Sequence, residues 1–269
     1  MIKIEALSHA FNGVKALDDI NMHIKKGEVT VIMGGSGSGK TTLLRLIAGL
    51  LTPTAGAIWF DGEDLAKVGR KRLYELRLRV GMVFQYSALL NSLNVYDNVA
   101  FTLHEHTKLD ESVISTMVTM KLEQVGLRGF EQMMPSQLSG GMAKRVAFAR
   151  ALAMDPQVVY FDEPTSGLDP ISAGVVSTLI HETTQKTKMT SVVVTHDVEA
   201  GLNIADHVVL LWQGQIIAEG DAESIRQSTD PRVVQFIKGE PNGPIPFSRS
   251  QTAYIDDLMH KPGYVRMQA

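Results

Sequence analysis

The chain has 269 residues, 44% of them hydrophobic, enough for one large α/β core or two small domains. Lys and Arg number 26 against 29 Asp and Glu, and the net charge of −3 lacks the basic excess of a surface that tracks nucleic-acid phosphates. Cysteine is absent, which excludes disulfides and cysteine-based metal sites. No apolar run approaches the ~20 residues of a bilayer span, and Met1-Ile2-Lys3-Ile4-Glu5 lacks the charged-then-apolar start of a signal peptide, so any membrane role is expected through a partner.

In chain order, Lys3–Leu7, Leu17–Ile24 and Ala57–Phe60 alternate apolar and polar residues as half-exposed antiparallel strands do, with Gly13, Gly27 and Gly62 between them. Val29–Met33 is a short β-branched run that ends in glycines, and Thr41–Leu50 then has the pattern of a helix. Between them, Gly34, Gly35, Ser36, Gly37, Ser38, Gly39, Lys40 and Thr41 match the phosphate-loop pattern in the strand-to-helix setting that it needs. Glycines let the backbone N–H groups wrap the β- and γ-phosphates of a nucleotide, Lys40 adds a point charge, and the Thr41 hydroxyl suits Mg²⁺. Thr42 completes the expected nucleotide contacts of this segment.

From about Ser87 to Gln137 the chain has helical periodicity and few strand signals, so a helical subdomain, spanning about 87–150, is expected as an insertion into the α/β core. Ser139 is a natural N-cap for the helix that follows Gly140 and Gly141 and runs through Val146–Leu152, and such a helix start suits an anion. Val158-Val-Tyr-Phe161 leads into Asp162 and Glu163, carboxylates at the C-terminal edge of a buried strand. Strand alternation would turn them to opposite sides, Asp162 towards a Mg²⁺ shell and Glu163 towards an attacking water. Ser191–Thr195 and His207–Leu211 are further continuous apolar strands of a parallel sheet covered on both faces. After Gly239, Pro241, Gly243, Pro244 and Pro246 break regular structure. The chain is thus expected to divide into a nucleotide-binding domain over 1–240 and a tail over 241–269 that packs as an extended arm on a second subunit or partner, the alternative being a tail folded back on its own subunit.

Leu138-Ser139-Gly140-Gly141, lying between the phosphate loop and Asp162-Glu163, makes residues 1 to about 240 similar to the ABC ATPase family. The resemblance implies an α/β P-loop NTPase of ABC type, with a RecA-like parallel-sheet core, an N-terminal antiparallel β subdomain and the helical insertion. It implies ATP and Mg²⁺ as ligands. Phe11 then stands where the family stacks an aromatic on adenine. Gln85, expected to end a strand, matches the glutamine that senses Mg²⁺ and the attacking water, and His196 matches the histidine that bonds the γ-phosphate. Asp169, in Ser166-Gly167-Leu168-Asp169, matches a residue that couples two sites across a dimer. Two copies are implied, head to tail, each ATP held between one phosphate loop and the Ser139–Gly141 segment of the other copy.

Ser87–Phe101, Glu105–Leu109 and Gly141–Arg150, with Met142 where most importers carry Gln or Glu, are most similar to the ATPase subunits of Mla-type, MCE-associated phospholipid transport systems. His104 departs from the Arg of that branch. This branch implies a separate integral-membrane permease, a small STAS-domain protein, an MCE lipid-binding protein, and a peripheral place on the cytoplasmic side of the inner membrane. The alternatives are the ATPase of another ABC transporter, for amino acids or organic solvents, and a soluble ABC protein that acts on ribosomes or DNA.

Overall fold

A computed structural model describes residues 1–245. The chain divides into a larger unit over Met1–Ser228 and a second unit that begins at Thr229.

The larger unit opens with two antiparallel strands, β1 (Ile2–Phe11) and β2 (Val14–Ile24). Then come β3 (Val29–Gly34), helix α1 (Lys40–Ile47), β4 (Ala55–Phe60), β5 (Glu63–Asp64), α2 (Arg70–Arg77) and β6 (Val80–Val83). Three helices follow, α3 (Val95–His106), α4 (Glu111–Gln124) and α5 (Gly140–Leu152), with a 3₁₀ turn at Pro135–Gln137 before the last. The remainder alternates strand and helix up to a final hairpin: β7 (Val158–Asp162), α6 (Pro170–Thr187), β8 (Thr190–Thr195), α7 (Val198–Ile204), β9 (His207–Trp212), β10 (Gln215–Gly220) and then α8 (Ala222–Arg226).

Two sheets result. The N-terminal one has the order β2-β1-β4-β5, all antiparallel, and the alternating exposure along β1 and β2 follows the alternation of their residues. The second has the order β10-β9-β3-β8-β7-β6, with β9, β3, β8, β7 and β6 mutually parallel. Every residue of β3, β7 and β8 is buried, as continuous apolar strands covered on both faces must be. Ile32, Tyr160, Val192 and Val209 from this sheet share one core with Ile4, Leu17 and Ile58 of the N-terminal sheet and with Leu43 and Leu46 of α1. Tyr160, the largest fully buried side chain among the described residues, satisfies its hydroxyl by donating to the Ile47 carbonyl at 3.0 Å, which ties β7 to the end of α1.

The edge strand β10 is not foreseen by the apolar runs of the sequence. It pairs antiparallel with β9 because the two-residue turn Gln213-Gly214 has both residues in the left-handed region (φ 48° and 78°), the hairpin geometry that folds a strand straight back. Gln-Gly is a less usual filling of that turn than Asn-Gly, so the signal is weak in the sequence.

Helix α5 lies directly against β6. A Cβ added to Gly81 would meet the Ala151 carbonyl oxygen at 2.5 Å, so the bare backbone at this position permits the contact. Gly81→Ala is expected to force α5 off the sheet at a cost of ~1–3 kcal/mol, read as a lowered Tm in a thermal melt; an unchanged Tm would contradict the close approach.

In the second unit, α9 (Pro231–Lys238) is capped by Asp230, whose carboxylate accepts from the Arg232 N–H at 2.8 Å. The Gln235 amide accepts from Ile245 N–H (2.7 Å) and donates to the Ile245 and Glu240 carbonyls, holding the chain after Gly239 in a bend. Of the tail expected over 241–269, everything beyond Ile245 lies outside the described residues, and the proposed arm with it.

Candidate functional site

In the sheet, β3, β8, β7 and β6 are parallel neighbours, so the segments leaving their C-terminal ends gather along one edge. Those segments are the phosphate loop after β3, His196 after β8, Glu163 after β7 and Gln85 after β6. Open α/β sheets bind ligands at this edge.

The loop from Gly34 to Gly39 turns into α1, whose N-cap, Gly39, has no side chain to satisfy the first-turn N–H groups. Those donors are left for an anion. Gly39 sits at φ 103°, and a Cβ there would lie 2.7 Å from the Ala16 carbonyl oxygen, so the loop is wrapped against the N-terminal sheet. Lys40 is buried, and its ammonium donates to the carbonyls of Gly34 (2.8 Å) and Gly35 (3.0 Å). Burial lowers the Lys40 pKa, against the opposing pull of the Glu163 and Asp162 carboxylates. The Ser38 hydroxyl is buried without a hydrogen-bond partner among the described residues, an orphaned group of the kind a phosphate oxygen would satisfy. Ser36 and Gly37 are exposed, and Gly35, Thr41 and Thr42 are half-buried.

The Thr41 hydroxyl donates to Asp162 at 3.4 Å, placing a hydroxyl and a carboxylate side by side. Burial raises the Asp162 pKa, the Thr41 hydrogen bond opposes the rise, and the neighbouring Glu163 charge adds to it. Two hard oxygen donors beside a phosphate loop form the partial set that suits Mg²⁺, which commonly completes its shell with phosphates and water.

Glu163 corrects the sequence expectation. Strand β7 stops at Asp162, and Glu163 has left-handed backbone (φ 50°), so a turn rather than strand alternation parts the two carboxylates. Its N–H donates to the Val194 carbonyl (2.9 Å), its carbonyl accepts from Ser166 N–H (3.2 Å), and its carboxylate accepts from His196 Nδ1 at 2.8 Å. A non-glycine residue in this region is held there by its surroundings, which fits a functional position. His196 is exposed while Glu163 is buried, so their pair bridges interior and surface.

Gln85 also differs from expectation, because β6 ends at Val83 and Gln85 lies in the turn that follows. Its carbonyl accepts from the Lys144 ammonium. Ser87 and Ala88, just beyond, both have left-handed backbone (φ 61° and 48°), and Arg150 spans them by donating to the Ser87 (2.8 Å) and Ala88 (2.7 Å) carbonyls.

The other expected residues stand on different elements. Phe11 ends β1, is 46% exposed, and packs edge-to-face on His9 with ring centroids 4.6 Å apart. Ser139 caps α5 by accepting from Met142 N–H at 3.2 Å, which leaves its own O–H free to donate. Ser139 and Gly140 are exposed and Gly141 is buried. Asp169 caps α6, its carboxylate accepting from the Ile171 and Ser172 N–H groups at 3.0 Å; hydrogen bonds from Ser172 hold its pKa below the ordinary carboxylate value.

Lys144 and Arg150 were not singled out by sequence reasoning. A lysine or arginine on a helix ordinarily faces water, and only the packing of α5 under β6 and β7 reveals their buried acceptors.

The family model for ABC transporters matches residues 17–166. The intermembrane phospholipid transport system ATP-binding protein MlaF of Haemophilus influenzae is 48% identical over 258 residues, covering 96% of this chain and 98% of that protein. MlaF of Escherichia coli K12 is 49% identical over 242 residues, 90% of each chain. A probable ribonucleotide transport ATP-binding protein, mkl, of Mycobacterium tuberculosis is 40% identical over 250 residues, 93% of this chain and 70% of that one. Among solved structures, the dimeric post-hydrolysis state of the ATP-binding cassette MJ0796 bound to ADP and Pi superposes with a TM-score of 0.76 at 30% identity, covering 82% of this chain and 99% of that chain. The cbiO1 subunit from Clostridium perfringens gives 0.78 at 36% identity, covering 84% and 90%. The fold is accordingly the α/β P-loop NTPase fold of ABC type, with a RecA-like sheet core and a helical subdomain. With a phosphate loop, a strand-end carboxylate pair and near full-length similarity to ATP-binding cassettes, the chain belongs to the ABC transporter family, as an ATP-binding and ATP-hydrolysing subunit.

Proposed function

We propose that two copies of this chain close head to tail on two ATP molecules and power phospholipid transport through a separate integral-membrane permease. The observation that carries the substrate class is the 48% identity, over 96% of this chain and 98% of the other, with a protein of an intermembrane phospholipid transport system. On this reading the chain sits on the cytoplasmic face of the inner membrane, with a STAS-domain protein and an MCE lipid-binding protein as further partners. No helix among the described residues is long and apolar enough to cross a membrane, so the permease supplies the pathway. Nucleic acid is not a partner.

In each site, Phe11 stacks on adenine, the N–H groups from Gly34 to Thr42 and the Lys40 ammonium hold the β- and γ-phosphates, and Mg²⁺ is held by Thr41, Asp162 and Gln85. Glu163 takes the proton of a water as its oxygen bonds to the γ-phosphorus and the bond to the β–γ bridging oxygen breaks, yielding ADP and phosphate. His196 holds Glu163 through Nδ1 (2.8 Å), and Nε2 is the ring nitrogen left for the γ-phosphate. In that arrangement Nε2 donates only as the imidazolium. Ser139, Gly140 and Gly141 of the second copy close the site over the γ-phosphate, and Asp169 lies on the face between copies. Loss of the γ-phosphate releases that closure and opens the dimer.

Co-expression with its permease and capture from membranes tests the transport reading. The expected result is a complex whose ATP hydrolysis moves phospholipid between vesicles. A complex that moves no phospholipid, or recovery on ribosomes or DNA, would overturn it.

A further inference from the structure

Helix α5 begins at the Ser139–Gly141 segment and carries Lys144 about one turn further on. Lys144 is 5% exposed, a level that a lysine seldom reaches unless its charge is paired or hydrogen-bonded. Its ammonium donates to two backbone carbonyls, those of Gln85 and of Glu163 (3.1 Å). These belong to the segments leaving β6 and β7, which carry two of the proposed catalytic side chains of the same chain. Burial lowers the Lys144 pKa while the Glu163 and Asp162 carboxylates draw it back up, so the group lies within the field of the site. Arg150, near the other end of α5, fixes the carbonyls of Ser87 and Ala88. One rigid helix therefore grips the whole turn after β6 at two points and the Glu163 backbone at one.

We infer that Lys144 is a positioning residue that couples the two ATP sites of the dimer. The inference rests on the two-copy reading above, in which the start of α5 touches the nucleotide held by the other copy. When that nucleotide draws in Ser139 and Gly140, α5 moves as a bar, and Lys144 transmits the motion to the Gln85 and Glu163 backbones of its own site. ATP in one site thereby sets the geometry of the water-activating side chains in the other. The coupling is carried by a contiguous path of one helix and two hydrogen bonds, and has a chemical gate that substitution can remove.

The test is steady-state ATP hydrolysis by the full chain across ATP concentration, with ADP affinity measured alongside because ADP reads phosphate-loop binding without the γ-phosphate. The unsubstituted protein is expected to give a sigmoidal curve, with a Hill coefficient approaching the number of sites, about 2. Lys144→Met, an unbranched side chain one atom shorter, keeps most of the packing but removes the ammonium and with it both hydrogen bonds; it should give a Hill coefficient of about 1 and a kcat lowered at least ~5-fold, the lower end of ordinary coupling factors, with ADP affinity unchanged. Lys144→Arg, which retains charge and several donors, should restore most of the cooperativity. Lys144→Gln, one atom too short to reach both carbonyls, covers the case in which Lys144→Met does not fold, and should also lose cooperativity. Sigmoidal kinetics retained in Lys144→Met or Lys144→Gln would overturn the inference alone. So would an Arg variant as uncoupled as the Met variant, because bare packing would then explain both. Hyperbolic kinetics and no ATP-dependent dimer in the unsubstituted protein would overturn the inference together with the two-copy reading.

Discussion

Glu163→Gln is expected to lower steady-state ATP hydrolysis by about 10²–10⁴-fold, the usual contribution of a positioned general base, while ATP still binds. The substitution keeps the shape of the side chain and its ability to accept from His196 Nδ1, which lies 2.8 Å from the native carboxylate. It removes the one property that the proposed reaction needs, a carboxylate able to take a proton from water. The backbone reasons for the position of residue 163, its left-handed φ of 50° and its hydrogen bonds to Val194 and Ser166, are untouched by the change. Turnover and nucleotide affinity should therefore separate cleanly in the same preparation. Hydrolysis within about threefold of the unsubstituted rate would remove Glu163 from the role of base.

Lys40→Ala should weaken ATP binding. The Lys40 ammonium lies at the mouth of α1, hydrogen-bonded to the Gly34 and Gly35 carbonyls, and a phosphate placed in the loop gains a buried charge-assisted contact from it. Deleting one partner of a buried, hydrogen-bonded charge pair costs ~2–5 kcal/mol, so ATP affinity should fall at least ~30-fold in a titration. The fold should survive, because Lys40 is not among the apolar side chains that build the core. ATP affinity equal to that of the unsubstituted chain would show that the loop holds phosphate through its backbone alone.

The two substitutions act on residues that the sequence exposes to different degrees. Lys40 is legible because its neighbours leave few alternatives: a β-branched strand, a run of glycines, then Lys and Thr at the start of a helix. Asp162 and Glu163 are legible as a pair, but their geometry is not, since strand alternation is a local rule and the turn at Glu163 is imposed by the Val194 carbonyl on the neighbouring strand. The end of β6 is misjudged by two residues for the same reason: Lys144 and Arg150, on a helix about sixty positions later, decide where the chain leaves the sheet. Lys144 itself carries no signal in the sequence. Its burial depends on Gly81 letting α5 approach β6, a contact between distant segments that periodicity does not encode. The β10 hairpin was hidden by an uncommon turn pair, Gln213-Gly214.

If a second copy of the chain completes each ATP site, the mass of the Glu163→Gln protein in solution with MgATP must show it. Because this variant is expected to bind ATP without consuming it, a stable species of twice the monomer mass should form with MgATP. With MgADP the protein should be monomeric, and it should return to monomer with MgATP when Ser139→Arg, which crowds the α5 start, is added. A Glu163→Gln protein that binds ATP to saturation and remains monomeric would rule out a site shared between two copies.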